Sequence, residues 1–370
     1  MPSSNNMENM ENKDVVKDMD NKAVASDAVA TEAVEKLTPA RAGRVAIFLV
    51  ICAAIVAVTS FFCIPRGNSE KDGIINHKAH QYLAEPENTI DVVMFGNSDV
   101  RCGFIPIEMW NEYGVTCQTV GINRENVFGA YEEFMTILKT QSPKLVIIET
   151  DMIFASNNNR GVKPYENLVK VILERYIPVA KYHNRWKGLI KDGVPWDRLI
   201  EWDYTYTCWE KGYHFSNTVV HNEVNNEPQR NRTIRKFNRM RLDDFREVCA
   251  ENDMQILFIE IPTLTSWSEA KSKAITKYTD KYGINYIDLN QHIEEMGLDW
   301  DTDSRDNGDH LNYYGAKKTT EYLCKYIMEN YELPNHKGDE KYQSWDDYYQ
   351  EYLEYVEKEG TSGKTEEGEA

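Results

Sequence analysis

The sequence has no Lys/Arg-rich stripe, no Cys-x-x-Cys pair, no internal repeat and no calcium-loop signature. Each absence closes a class of function. With a net charge of −18 and no clustered cations, a nucleic-acid-binding surface is excluded. Of seven cysteines, Cys52 and Cys63 lie in an apolar run, and the other five (Cys102, Cys117, Cys208, Cys249, Cys324) are scattered. That distribution fits neither a zinc site nor a small disulfide scaffold, and an odd number outside the run leaves at least one unpaired within a monomer. Part of the acidity is local: 337–370 holds 11 acidic residues against four lysines.

What is present begins with a long apolar run. Val45 to Ile64 reads VAIFLVICAAIVAVTSFFCI, twenty positions without a charge. At 1.5 Å per residue this spans the roughly 30 Å hydrocarbon core of a bilayer. The run starts more than forty residues into the chain and no clean small-x-small cleavage site follows it, so it reads as an anchor rather than a signal peptide. Lys36, Arg41 and Arg44 before it nearly balance Arg66, Lys71 and Lys78 after it. The short polar tail before the run and the large domain after it set the expected orientation: a single-pass cell-membrane protein whose domain is extracytoplasmic.

The predicted organisation is a disordered cytoplasmic tail over 1–43, a transmembrane anchor over 44–65, a connector over 66–88 and a domain over 89–335. An acidic extension, 336–370, follows. The tail is polar and nearly free of aromatics, so it has too little apolar surface to order itself. Apolar strands are expected at 89–95, 115–120, 145–149, 255–260 and 285–289. Helical spacing lies between them at 107–113, 128–139, 233–252, after Trp267 and over 314–331. Alternating strands and helices predict an α/β domain with a five-stranded parallel sheet. The alternation lapses over 154–231, a Trp- and Tyr-rich stretch predicted to be an inserted helical cap. Tyr348, Tyr349, Tyr352, Tyr355 and Val356 fall at helical spacing and predict a final structural helix.

Two segments carry chemistry. In DVVMFGNSDVRCG (91–103), an apolar strand runs into Gly96-Asn97-Ser98-Asp99, placing Ser98 at the carboxyl edge of a parallel sheet, where sites form in open α/β folds. A serine there is a weak nucleophile until a base takes its proton, and it serves equally as a helix N-cap. In DTDSRDNGDHLNYYG (301–315), His310 sits in an Asp-rich loop before the last helix, suited to act as a base if a carboxylate holds it. Asp306 and Asp309 are the candidates, Asp306 preferred because its separation lets it curl back to the imidazole. The four aspartates of this loop do not follow calcium-loop spacing, so no metal is expected.

Together the segments resemble the SGNH/GDSL hydrolase superfamily. The likeness is nearest to its membrane-anchored branch of D-alanyl-lipoteichoic-acid transfer and polysaccharide O-acetylation proteins. It covers about residues 90–331 and is most specific in GNSDVRCGFIP (96–106) and GDHLNYYGAKKTTEYL (308–323). It implies a three-layer αβα, flavodoxin-like SGNH fold, with Ser98 as nucleophile, His310 as base, and the N–H groups of Ser98 and Gly121 as an oxyanion hole. Asn123 is a further candidate donor, and Trp267 a candidate for lining an acceptor groove. Two positions depart from the family pattern. The third strand ends in Glu149-Thr150-Asp151 where an Asn is usual, with Asn157–Asn159 later, and Asn307 stands where an Asp-x-x-His spacing places the acid.

The expected function is therefore a serine esterase or O-acyltransferase needing no cofactor and acting on a cell-surface glycan or acylated polymer. The resemblance implies a membrane-bound O-acyltransferase as donor partner. The alternative is a catalytically silent SGNH fold used as a scaffold or glycan-binding protein. Ser98 and His310 more than about 6 Å apart would favour the silent fold, and hydrogen-bond reach the enzyme.

Overall fold

The computed structural model describes residues 38–74, 76–154, 166–194, 196, 200–220 and 233–360. Most of the predicted tail, part of the cap with Asn157–Asn159 and His221, and the last ten residues lie outside them. Two compact units divide the chain, Met1–Thr59 and Ser60–Ala370. Helix α1, Pro39–Cys63, makes up the described part of the first and ends in the second. Its 25 residues are long and apolar enough to cross a membrane.

The second unit is built on five parallel strands: β1 (Val92–Gly96), β2 (Cys117–Gly121), β3 (Leu145–Glu149), β4 (Gln255–Glu260) and β5 (Asn285–Asp288). Their order is β2-β1-β3-β4-β5. The fold class is thus the α/β sheet read from the alternating pattern. Every residue of β1, β2 and β3 is buried, as expected of parallel strands covered on both faces. Alternation along each strand divides the core in two. Val93, Phe95, Val146, Ile148 and Phe258 face α4 (Val127–Ile137), α8 (Lys236–Glu251) and α9 (Glu269–Tyr282). Val92, Met94, Ile147, Leu257 and Ile259 face α2 (Ser98–Gly103), α3 (Pro106–Tyr113) and α10 (Tyr313–Asn330). The insertion contributes α5 (Glu166–Tyr176), α6 (Pro178–Tyr182) and α7 (Trp186–Asp192).

The predicted first strand starts too early. Thr89 and Ile90 instead give their N–H groups to the Gln141 side chain, which straps the approach to β1. Strand order places the site. After β1 the chain lays β2 on one side and, after recrossing, β3 on the other, so a crevice opens at the carboxyl ends of β1 and β3.

The last part of the insertion and the C-terminal segment seal the β2 side. Thr119 in β2 donates to the Lys211 carbonyl, and Gly212, at φ +96, lies so near the Thr119 backbone that a side chain there would collide. The Lys211 side chain is fully buried, its ammonium 2.5 Å from Glu85 and over the rings of Trp345 and Tyr348. Trp345 and Tyr352 belong to α11 (Gln343–Gly360), which packs with Trp110 and Trp209 in a third, aromatic cluster.

A buried ion pair is costly to break singly, because the surviving charge loses its partner. Glu85→Ala is expected to lower the unfolding free energy by about 3–5 kcal/mol. The double change Glu85→Leu with Lys211→Met is expected to cost much less. Denaturant unfolding of the three proteins checks this; equal losses for the single and double variants would contradict it.

Candidate active site

Ser98 is the first residue of α2, two residues beyond the end of β1. The turn between them is fixed by Asn97, whose side-chain oxygen accepts the Asp99 N–H at 2.8 Å and whose amide donates to Asp151 at 2.9 Å. The approach of α2 to β2 is also tight. A Cβ on Gly121 would lie 2.7 Å from the Arg101 backbone nitrogen, so glycine is required there for packing.

His310 reaches Ser98 from across the sheet edge. Its Nε2 is 2.8 Å from Ser98 Oγ, and its Nδ1 is 2.6 Å from Asp306 Oδ2. An ionised carboxylate only accepts, so Nδ1 carries the proton and Nε2 is left to accept from the serine hydroxyl. The other Asp306 oxygen accepts the His310 backbone N–H at 2.7 Å. One carboxylate therefore holds both ends of the histidine. The four-residue separation closes because Asn307 and Gly308, at φ 63° and 81°, both adopt the left-handed conformation. Ser304 completes the loop by accepting the Gly308 N–H at 2.6 Å. Asp309 is half exposed, 3.5 Å from Nδ1, and also bonds Thr265. Geometry thus favours Asp306 over Asp309 as the histidine's partner.

Burial works to lower the His310 pKa. The Asp306 hydrogen bond and the carboxyls of Asp99, Asp306 and Asp309 outweigh it and raise the pKa above the ordinary imidazole value. Burial likewise opposes the charge on Asp306, but its two hydrogen bonds from His310 keep its pKa below the usual carboxylate range. His214, whose backbone N–H donates to the Arg101 carbonyl at the end of α2, is lowered to about 4 by burial and by the guanidiniums of Arg101 and Arg305.

The other expected site residues do not join this trio. Asn123 is exposed in the turn after β2, and among the described residues no contact links it to Ser98 or His310. Trp267 is half-buried and donates its indole N–H to Asp288 at the end of β5, at 2.8 Å. Asp306, Asp309 and His310 offer ligand atoms within 4.8 Å of one another, but the histidine nitrogens are committed to Asp306 and Ser98.

Sequence reasoning missed what lies beneath the serine. Asp99, Glu149, Asp151 and Glu260 are all buried, at or just past the ends of β1, β3 and β4. Lys271 supplies a cation, bonding Asp151 and the Ser266 carbonyl. Burial, then the neighbouring carboxyls, drives Asp99 and Glu260 well above the carboxylate range. Glu149 is pushed up to about 8 by burial and by Asp151. Asp99 therefore resists ionisation, and its Oδ1 lies 3.7 Å from His310 Nε2. The legible signal was three apolar strands each running into an acid: Asp99, Glu149 and Glu260.

No family model matches the chain, and no curated protein matches it. Several solved structures share parts of its chain path. A protein from Bacteroides fragilis, solved as a proposed acylhydrolase, is 14% identical at a TM-score of 0.36, covering 68% of this chain and 94% of its own. A GDSL-like lipase from Bacteroides thetaiotaomicron is 12% identical at 0.36, covering 68% and 96%. A similar protein from Parabacteroides merdae is 12% identical at 0.33, covering 66% and 97%. Likeness at this level leaves the functional reading to the site's own geometry.

Glu149 has a raised pKa in the folded state, so between its ordinary value and about 8 the folded form holds a proton that the unfolded form has lost. Stability therefore falls as pH rises through that window. Glu149→Gln, whose one carbonyl oxygen can still accept the Asp151 N–H, is expected to flatten this slope by up to about 1.4 kcal/mol per pH unit. Denaturant unfolding from pH 5 to 8 checks it; an unchanged slope would contradict the buried-acid assignment.

Proposed function

We propose that this protein is an extracytoplasmic serine esterase or O-acyltransferase working through Ser98, His310 and Asp306. The observation that carries the reading is the continuous relay from Ser98 Oγ through the imidazole to Asp306, at 2.8 and 2.6 Å. A silent scaffold has no need to hold three such groups in hydrogen-bond series. In this reading Ser98 Oγ attacks the carbonyl carbon of an ester while His310 Nε2 takes the hydroxyl proton. Asp306 stabilises the imidazolium and fixes its tautomer. The Ser98 and Gly121 N–H groups receive the oxyanion. Collapse returns the proton from His310 to the leaving alcohol and leaves acyl-Ser98. A water or acceptor hydroxyl then attacks that ester while His310 takes its proton; His310 returns the proton to Ser98 Oγ as the Oγ–acyl bond breaks, and the acyl group leaves on the attacking oxygen.

The substrate class follows from the anchor. With α1 spanning the cell membrane and the tail inside, the serine works outside, and the acceptor is a cell-surface glycan or acylated polymer. A membrane-bound O-acyltransferase is the donor partner in this account. Trp267 lines the acceptor side, and Asn123 assists the oxyanion.

A fluorophosphonate probe is expected to label the wild-type protein and to label neither Ser98→Ala nor His310→Ala. A folded wild type that stays unlabelled would sink the enzyme reading in favour of the silent scaffold. Turnover of an activated acetate ester gives a second check. His310 must be neutral to accept the proton, and its pKa lies above the ordinary 6.5. Activity is therefore expected to fall as pH drops through a value higher than 6.5. Asp306→Asn removes the main raising partner, so it should move that limb to lower pH and cost on the order of 10⁴ in kcat. An unshifted limb would contradict the role given to Asp306.

A further inference from the structure

The insertion carries an apolar surface that the domain does not cover. Helix α5 has two apolar sides. Leu168 and Val171 pack on the core, while Val169, Ile172, Leu173 and Tyr176 are 46%, 47%, 46% and 75% exposed. The exposed four fall at i, i+3, i+4 and i+7, a full stripe turned away from the domain. In α7, Trp186 and Ile190 repeat the pattern one turn apart, 52% and 76% exposed. Trp196 and Trp202 add two more open indoles.

The same segment is fastened where α1 ends. Val179 donates to Ser60 Oγ at 3.2 Å, and Arg185 donates to the carbonyls of Cys63 and Ile64, capping orphan acceptors of the helix terminus. Trp196 meets Phe62 edge to face, with ring centroids 6.2 Å apart, and Arg66 lies over the Trp202 ring at 5.0 Å. Charge changes sign here too. Residues 166–203 hold seven Lys/Arg against six acids, in a protein of net charge −18, with the cations concentrated before 192 (170, 175, 181, 185, 187, 191). Lys187 and Lys191 are exposed beside Trp186 and Ile190.

An apolar helix stripe, open tryptophans and flanking lysines together match the chemistry of a bilayer's headgroup layer. We propose that α5, α7, Trp196 and Trp202 form a collar seated in the headgroup layer of an anionic leaflet, around the point where α1 leaves the hydrocarbon. This rests on the reading of α1 as a membrane-spanning anchor. A second protein chain would not require basic residues at this boundary, and the surface continues directly from the end of α1. The collar gives the domain a second hold on the bilayer, so the serine works within a fixed band above the surface instead of on a swinging tether.

The sequence of α1 contains no tryptophan, so indole fluorescence reports on the collar and not on the anchor. The experiment reconstitutes the full chain singly into nanodiscs of phosphatidylcholine and phosphatidylglycerol, with or without bromine near the top of the acyl chains. Bromolipid is expected to quench the wild type. Most of the quenching should disappear when Trp186, Trp196 and Trp202 are all changed to Phe. Ile172→Glu with Ile190→Glu should weaken it without changing the thermal melt. Resistance to alkaline extraction from vesicles is read in parallel and reports on α1 alone. Unquenched emission from a chain that resists extraction would overturn the collar and leave the anchor standing; this is also the result if another protein covers the face. An extractable chain with unquenched emission would overturn both. Quenching that survives in the triple Phe variant would equally overturn the collar, because it would come from other tryptophans.

Discussion

A parallel sheet sealed on both faces pushes its acidic and nucleophilic side chains to the ends of its strands, and here they crowd the carboxyl ends. Here β1, β2 and β3 are buried at every position, and helices cover both sides. β1 and β3 therefore stay apolar until they end, and then they and β4 run into Asn97-Ser98-Asp99, Glu149-Thr150-Asp151 and Glu260. Strand order opens a crevice between β1 and β3. The serine, its tie to Asp151 through Asn97, and the acids below it all follow from that constraint. Lys271 is the counterweight, and burial with the crowding of like charges pushes Glu149 up to about 8 and Asp99 and Glu260 well above the ordinary carboxylate range.

Much of this was legible in the sequence because each strand is a short apolar run bounded by turn residues, and the runs alternate with helical spacing. The order of strands was not written in any one segment and is visible only in the structure. Ser98 and His310 stand out as candidates because each sits where a periodic pattern breaks into polar residues. Asp306 could be preferred over Asp309 only on separation. The reason it succeeds is a conformational one: two successive left-handed residues, Asn307 and Gly308, fold four positions into the reach of three. The helix that Ser98 opens was missed, because six residues are too few to show a period.

The acid cluster was harder to read. Its members lie far apart in the chain, and each alone looks like a strand-end cap or a surface carboxylate. Burial, which decides their protonation, is a tertiary property. The same holds for Lys211 and Glu85, 126 residues apart and paired under an aromatic lid from α11. The tryptophans of the insertion show the same limit, because spacing does not sort them: Trp186, Trp196 and Trp202 are more than half exposed, while Trp209 is buried beneath α11.

The central claim is that the Ser98 hydroxyl, activated by His310, forms a covalent acyl ester. The most direct measurement is peptide mass mapping of the protein quenched in acid during turnover of an activated acyl ester. The account requires the acyl mass increment on the peptide containing Ser98, present in the wild type and absent in His310→Ala. An increment confined to lysine or cysteine peptides, or one at Ser98 that persists without His310, would contradict it.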